Sequence, residues 1–217
     1  MKVSKWPDAA LILILTFLPC LFFWRLITPH PADRMRIRAG DFTEQYFPLR
    51  AFAAQEWVRG RIPLWNSYLY GGQPALADIQ SGALYPPHVI EALILGRGGP
   101  LVGREVGFPL WALEWQVVAH FSLAAVGTYL FVRSLGRQSG VSWRRARFGG
   151  VIASLVFTYG GYLTGFPVQQ MTIVEVSAWL PWVMWAVGSR EKGEGRRDTK
   201  RRIGRAAWGG LAFGLAI

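Results

Sequence analysis

The chain has 217 residues, 52% of them hydrophobic, with 11 Trp, 13 Phe and a formal net charge of +11. The apolar residues come in blocks of roughly the 20 residues that a helix needs to cross a bilayer, which argues against a soluble domain with one dispersed core. The basic residues lie between those blocks without any nucleic-acid recognition motif, so a polynucleotide partner is not indicated. The single cysteine, Cys20, lies inside the first block and can form neither an intrachain disulfide nor a metal-ligand pair.

The first block runs from about Ala9 to Thr28, behind Lys2 and Lys5. A cleaved signal peptide is the competing reading, but the run is long for a signal core and no small-x-small site follows it. An uncleaved helix is therefore predicted, with a kink at Pro19. Residues 29–107 form a large loop. Further spans are predicted over 108–132, 148–166 and 171–188, and a fifth begins near Ala206 and reaches Ile217 after only half a crossing. That last feature reads as the start of a truncated span. The connections 133–147 and 189–205 are strongly basic and read as cytoplasmic, together with the N-terminus. The 29–107 loop then lies outside. The predicted fold class is all-α: a polytopic integral membrane protein with a large structured first outer loop.

Within that loop Phe42, Tyr46, Leu49, Ala53 and Trp57 recur at helical spacing. They predict an amphipathic helix on the membrane surface, ended by Gly60. Pro86 and Pro87 suit the first turn of a second short helix, about Pro87 to Leu95. The stretch between them is turn-rich and holds the Gly71-Gly72 pair. "YGGYLTG" in the third span reads as a site of close helix packing.

Asp41 and Glu44 have the spacing of a capping box, in which the first carboxylate accepts a backbone N–H and the second reaches back. The same two acids could carry chemistry, since a capped carboxylate can still point into a cleft. Inside the spans, Glu114, His120 and Glu175 are ionisable groups that lipid disfavours, so each should face protein or a wet cavity. Arg25 sits at a depth similar to that of Glu114 and could pair with it or snorkel. Most acids fall on the outer side, so any catalytic chamber opens outward. Arg34, Arg36, Arg38, Arg50, Arg59 and Arg61 share that side and could contact phosphate or lipid headgroups. The chain contains no dinucleotide fingerprint, P-loop or zinc-protease motif.

The outer loop resembles the first outer loop of bacterial YfhO-like membrane proteins, of the GT-C class of polytopic glycosyltransferases. The resemblance rests on Gly40-Asp41 with Gln45 and Pro48, on "GRIPLWN" (Gly60 to Asn66), on Gly71-Gly72 with Pro74, on "YPPH" (Tyr85 to His88) and on "AWLP" (Ala178 to Pro181). It implies an enzyme of the bacterial plasma membrane, and this chain reads as its N-terminal part. Such an enzyme takes a sugar from a polyprenyl-phosphate carrier and passes it to a cell-envelope acceptor on the outer face. Asp41 matches the family's acidic position in the first outer loop and would act as general base, with Glu44 in support. Gln45, Tyr46, Trp65, Asn66, Glu114 and Gln170 are the candidate substrate-binding residues. Gln170 stands where relatives commonly carry a histidine, and a glutamine cannot titrate. Some members use a divalent metal, which Asp41 and Glu44 could help to hold. The expected partners are the lipid-linked donor, membrane lipids and the remaining transmembrane helices of a longer chain. A non-enzymatic transporter or scaffold subunit, or an inactive truncated product, are the competing readings.

Overall fold

The structure is a computed structural model and describes residues 6–95 and 108–188. Lys2, Lys5, the basic connection 189–205 and the predicted start of a fifth span lie outside them. The described residues are mostly helical and contain no strand, with only an isolated bridge pair at Asn66 and Gln73. The helices are α1 (Trp6–Phe22), α2 (Trp24–Ile27), α3 (Phe47–Val58), α4 (Pro86–Leu95), α5 (Leu110–Gln138), α6 (Trp143–Tyr159), α7 (Gly161–Thr164) and α8 (Met171–Gly188). They form two units. One holds α1, most of α5 and α8, and α6 and α7; the other is Arg25–Val117 with Val168–Thr172.

Two helices among the described residues, α5 and α8, are long and apolar enough to cross a membrane. The other two predicted spans form 17-residue helices, α1 and α6. Each is about 26 Å long at 1.5 Å per residue, against a hydrocarbon core of about 30 Å. The third predicted span is cut short at "YGGYLTG". This is not a helix-packing site: Gly160 adopts an extended conformation that stops α6. At their other ends α5 and α6 run into the predicted basic loop, leaving only residues 139–142 outside helix. Charge alone misplaced those boundaries, because an arginine can extend along a helix and still keep its head group in a polar environment. Here the guanidinium groups of Arg133, Arg137 and Arg147 gather over the Trp143 ring, that of Arg137 at 4.1 Å from its centroid.

The helical unit is apolar outside and tied by polar groups inside. Leu13, Ile14, Phe17 and Leu21 are exposed along one face of α1. Phe148, Ile152 and Val156 are exposed along α6, and Val176, Leu180, Met184 and Val187 along α8. The interior has Leu15, Ala125 and Tyr129 at its centre. Small residues let the helices approach: a Cβ on Gly150 would lie 3.0 Å from Tyr129. Side chains take up backbone carbonyls across helices. Ser122 Oγ donates to Thr16 O at 2.7 Å, Ser154 Oγ to Ala125 O at 2.8 Å and Trp182 Nε1 to Leu123 O at 2.9 Å. At one end Asp8 joins three helices, receiving Tyr129 OH at 2.7 Å, Arg133 at 2.8 Å and both forks of Arg147 at 2.9 Å.

The second unit is built on α3 and α4. The face predicted to lie on a membrane is instead its core: Phe42, Tyr46, Leu49 and Ala53 are buried, and α3 packs against α4. Pro48 cannot donate a helical hydrogen bond, and the turn ahead of it, Phe42–Tyr46, is a wide π-type turn. Gly60, with φ of +73°, ends α3: its N–H reaches Trp57 O and that of Arg61 reaches Glu56 O.

Removing the Asp8 carboxylate by Asp8→Ala leaves two arginines and a tyrosine hydroxyl without their shared acceptor. The expected loss is about 2–3 kcal/mol, read as a lower thermal midpoint of the purified protein.

Candidate functional site

Asp41 stands at the head of the wide turn with helical backbone angles, and its side chain makes no capping hydrogen bond. The predicted capping box is not formed. Thr43 does the local work instead, its Oγ1 lying 3.3 Å from Gly40 N and 3.2 Å from Gly40 O. Glu44 is exposed and makes no ion pair or side-chain hydrogen bond among the described residues. The box fails because the turn starts with Asp41 already helical, whereas a capping side chain needs the extended backbone that turns it back over the first N–H groups.

Asp41 is thereby free to look elsewhere. Its Oδ2 accepts a hydrogen bond from Gln170 Nε2. Gln170 Oε1 accepts from Tyr46 OH at 2.8 Å, and Thr172 Oγ1 lies 2.9 Å from the same hydroxyl. The direction of this chain is fixed by its end. An ionised carboxylate only accepts, so Gln170 must present its NH2 to Asp41 and its carbonyl to Tyr46. Tyrosine has one proton, and with that proton on Gln170 the Thr172 hydroxyl must donate to it. The donors therefore run Thr172, Tyr46, Gln170, Asp41. Tyr46 is 1% exposed, so it is rigidly placed. Gly40 admits the Gln169–Gln170 segment: a Cβ there would lie 2.6 Å from Gln169 Oε1. Asp41 Oδ1 has no hydrogen-bond partner among the described residues. The result is a half-buried carboxylate with one oxygen held and one open, a geometry suited to accepting a proton or a hydroxyl group.

The remaining predicted residues fall elsewhere. Gln45 is exposed and bonds the Gln80 side chain at 2.5 Å. Asn66 is buried, and its Oδ1 accepts from Tyr68 N at 3.0 Å, so it holds its own loop. Trp65 is exposed, and a Cβ on Gly72 would lie 2.8 Å from its ring. Glu114 is 1% exposed, and its partner is Arg36 at 3.1 Å, with Ile37 N at 3.2 Å, rather than the predicted Arg25. His120 and Glu175 are buried in the other unit. Of the six arginines predicted to lie on the outer side, Arg59 and Arg61 both pair with Glu56 at 2.8 Å, Arg36 pairs with Glu114, Arg50 is fully buried and Arg34 Nε is buried without a hydrogen-bond partner among the described residues. Arg38 is exposed and unpaired among the described residues. No group of three or more His, Cys, Asp and Glu side chains comes together among them.

A second polar cluster escaped sequence reading. His88 and Glu91 lie one turn apart on α4, and both reach Gln116 of α5. His88 Nε2 donates to Arg50 O at 3.1 Å, so its Nδ1 accepts from Gln116 at 3.2 Å. The ring is a neutral tautomer fixed at both nitrogens. Burial pushes His88 down to about 3, with the Arg50 charge adding to the effect. Burial also pushes Glu91 up to about 7, against the opposing effects of Gln116 and Arg50. The only sequence signal was the i, i+3 pair His88 and Glu91, which means nothing until Gln116 is known to face it.

The two shifts act on opposite sides of pH. Unfolded His88 takes a proton near its ordinary 6.5, so stability falls with falling pH from there toward 3. Glu91 is raised when folded, so the unfolded chain loses that proton first and stability falls as pH rises from about 4.5 to about 7. Glu91→Gln mimics the protonated acid and removes the second arm. Its thermal midpoint should exceed that of the unaltered protein more at pH 8 than at pH 5. Comparison of the chain with protein-family models, with curated proteins and with solved structures gave no match.

Proposed function

We propose that the chain is part of a multi-pass membrane glycosyltransferase that moves a sugar from a polyprenyl-phosphate carrier to a cell-envelope acceptor, with Asp41 as its general base. The membrane assignment is supported by the exposed apolar stripes on α1, α6 and α8, which water would penalise and lipid would not. It is also supported by interhelical ties made through serine and tryptophan to backbone carbonyls. The basic ends of α5 and α6 suit the cytoplasmic face of a bacterial plasma membrane.

One observation carries the chemical reading: Asp41 is held on one oxygen by Gln170 and is open on the other. In the proposed reaction the acceptor hydroxyl oxygen attacks the anomeric carbon. The bond from that carbon to the phosphate oxygen breaks, polyprenyl phosphate leaves, and Asp41 Oδ1 takes the hydroxyl proton. Gln170, locked by Tyr46 and Thr172, keeps the carboxylate from turning. Arg38, three residues before Asp41 and exposed, is a cation available to the carrier phosphate. The closed ion pair of Glu114 with Arg36 counts against a transport pathway through that carboxylate.

The test uses membranes containing the protein, supplied with polyprenyl-phosphate sugars. Asp41→Asn is expected to reduce transfer by about 10²-fold or more with an unchanged thermal midpoint. Transfer at the original rate would leave Asp41 a structural residue. Gln170→Ala should cost less than Asp41→Asn, because it frees the carboxylate without removing it.

A further inference from the structure

The second unit divides its charge unevenly along the chain. Between Ile62 and Leu95 only Asp78 and Glu91 are charged. Glu91 accepts from Gln116 inside the unit, and Asp78 is half-buried with its Oδ1 accepting from Gln80 N at 2.9 Å. The same segment exposes large apolar side chains: Tyr70 is 93% exposed and Tyr68 80%, with Trp65, Ile79 and Leu84 about 60%. On α4, Ala92 and His88 face inward while Ile90 and Ile94 face out.

These side chains are presented by a folded loop. Asn66 and Gln73 exchange both backbone hydrogen bonds, Leu76 N reaches Leu64 O, and Gly72 N reaches Leu69 O. The tip of this hairpin is Tyr70, whose φ of +52° is the only positive value for a non-glycine residue among those described. Asn or Gly would sit there more easily, and a bulky side chain in that region is strained. A tyrosine held in that conformation and turned almost wholly outward is placed for something outside the unit.

We propose that Ile62–Leu95 is a membrane-resting surface, with Trp65, Tyr68 and Tyr70 at the headgroup level of the bilayer and Ile79, Leu84 and Ile94 reaching the acyl boundary. It rests on the membrane reading above, and it replaces α3, whose apolar face is taken up by the core. The scarcity of charge around these side chains favours lipid over a folded partner, whose interface would carry a polar rim. Tyrosine and tryptophan with an apolar body and a polar tip, mixed with bare aliphatics, are the side chains of the bilayer interface. With the half-buried Asp78 as the one partly exposed charge and no exposed cation in the segment, the contact needs no anionic lipid.

The experiment uses the full chain in phosphatidylcholine vesicles, with Cys20→Ala removing the one native cysteine. Single nitroxides are placed through Tyr70→Cys, Ile79→Cys and Ile94→Cys. Phe17→Cys on the exposed face of α1 reports the membrane and Arg59→Cys reports water. Collisions with oxygen and with a water-soluble nickel chelate are compared. Positions 70, 79 and 94 should be shifted toward oxygen relative to position 59, with 79 and 94 deeper than 70. If position 17 favours oxygen while 70, 79 and 94 match 59, the surface faces water and the proposal is overturned. Low collision with both reagents at 70, 79 and 94 would mean a protein partner covers them, and also overturns it. If position 17 favours nickel, the membrane reading fails and takes the proposal with it.

Discussion

A polar group shut away from water is costly unless it finds a partner, and that cost shapes the key contacts of both units. In the helical unit the partners are backbone carbonyls, reached by Ser122, Ser154 and Trp182 from neighbouring helices. Close approach through Gly150 makes such reaching feasible. With hydrogen bonds and small residues holding the interior, large aliphatics are left to cover the outside of α1, α6 and α8.

In the second unit the same constraint produces two separate clusters with different characters. Around His88 every donor and acceptor position on the ring is filled, and the ring is fully buried. Such a cluster fixes the register of α4 against α3 and α5, and burial holds the ring neutral. Around Asp41 the filling is deliberately incomplete in the geometric sense: three neutral side chains are spent on orienting one oxygen, and the other is left over. Full satisfaction gives rigidity, and partial satisfaction at a half-exposed edge gives a group with remaining capacity.

Sequence reading located the helices of the predicted outer loop well, because their punctuation is local. Gly60 after α3 and the proline pair at the start of α4 are decided within a turn of the chain. It misjudged what this face meets, because Phe42, Tyr46, Leu49 and Ala53 have the same periodicity whether they face lipid or a protein interior. It placed Asp41, Tyr46 and Gln170 among the candidates without their arrangement, since Gln170 is 129 positions from Asp41 and nothing local encodes the pairing. The capping reading of Asp41 and Glu44 failed on one backbone conformation, that of Asp41 itself. The ends of α5 and α6 were misplaced because charged residues look like loop in a hydropathy pattern, whatever their backbone does.

In the proposed reaction the glutamine beside Asp41 has a kinetic consequence. A histidine in that place could accept a proton on one nitrogen and release another from its far side, forming a wire to Tyr46 and beyond. An amide cannot, because its NH2 and carbonyl do not exchange roles at any ordinary pH. Gln170 is therefore an insulator between the carboxyl and the Tyr46–Thr172 pair. A proton taken up by Asp41 can leave only by the side on which it arrived. Occupancy of that side by a bound molecule and discharge to bulk water must then alternate.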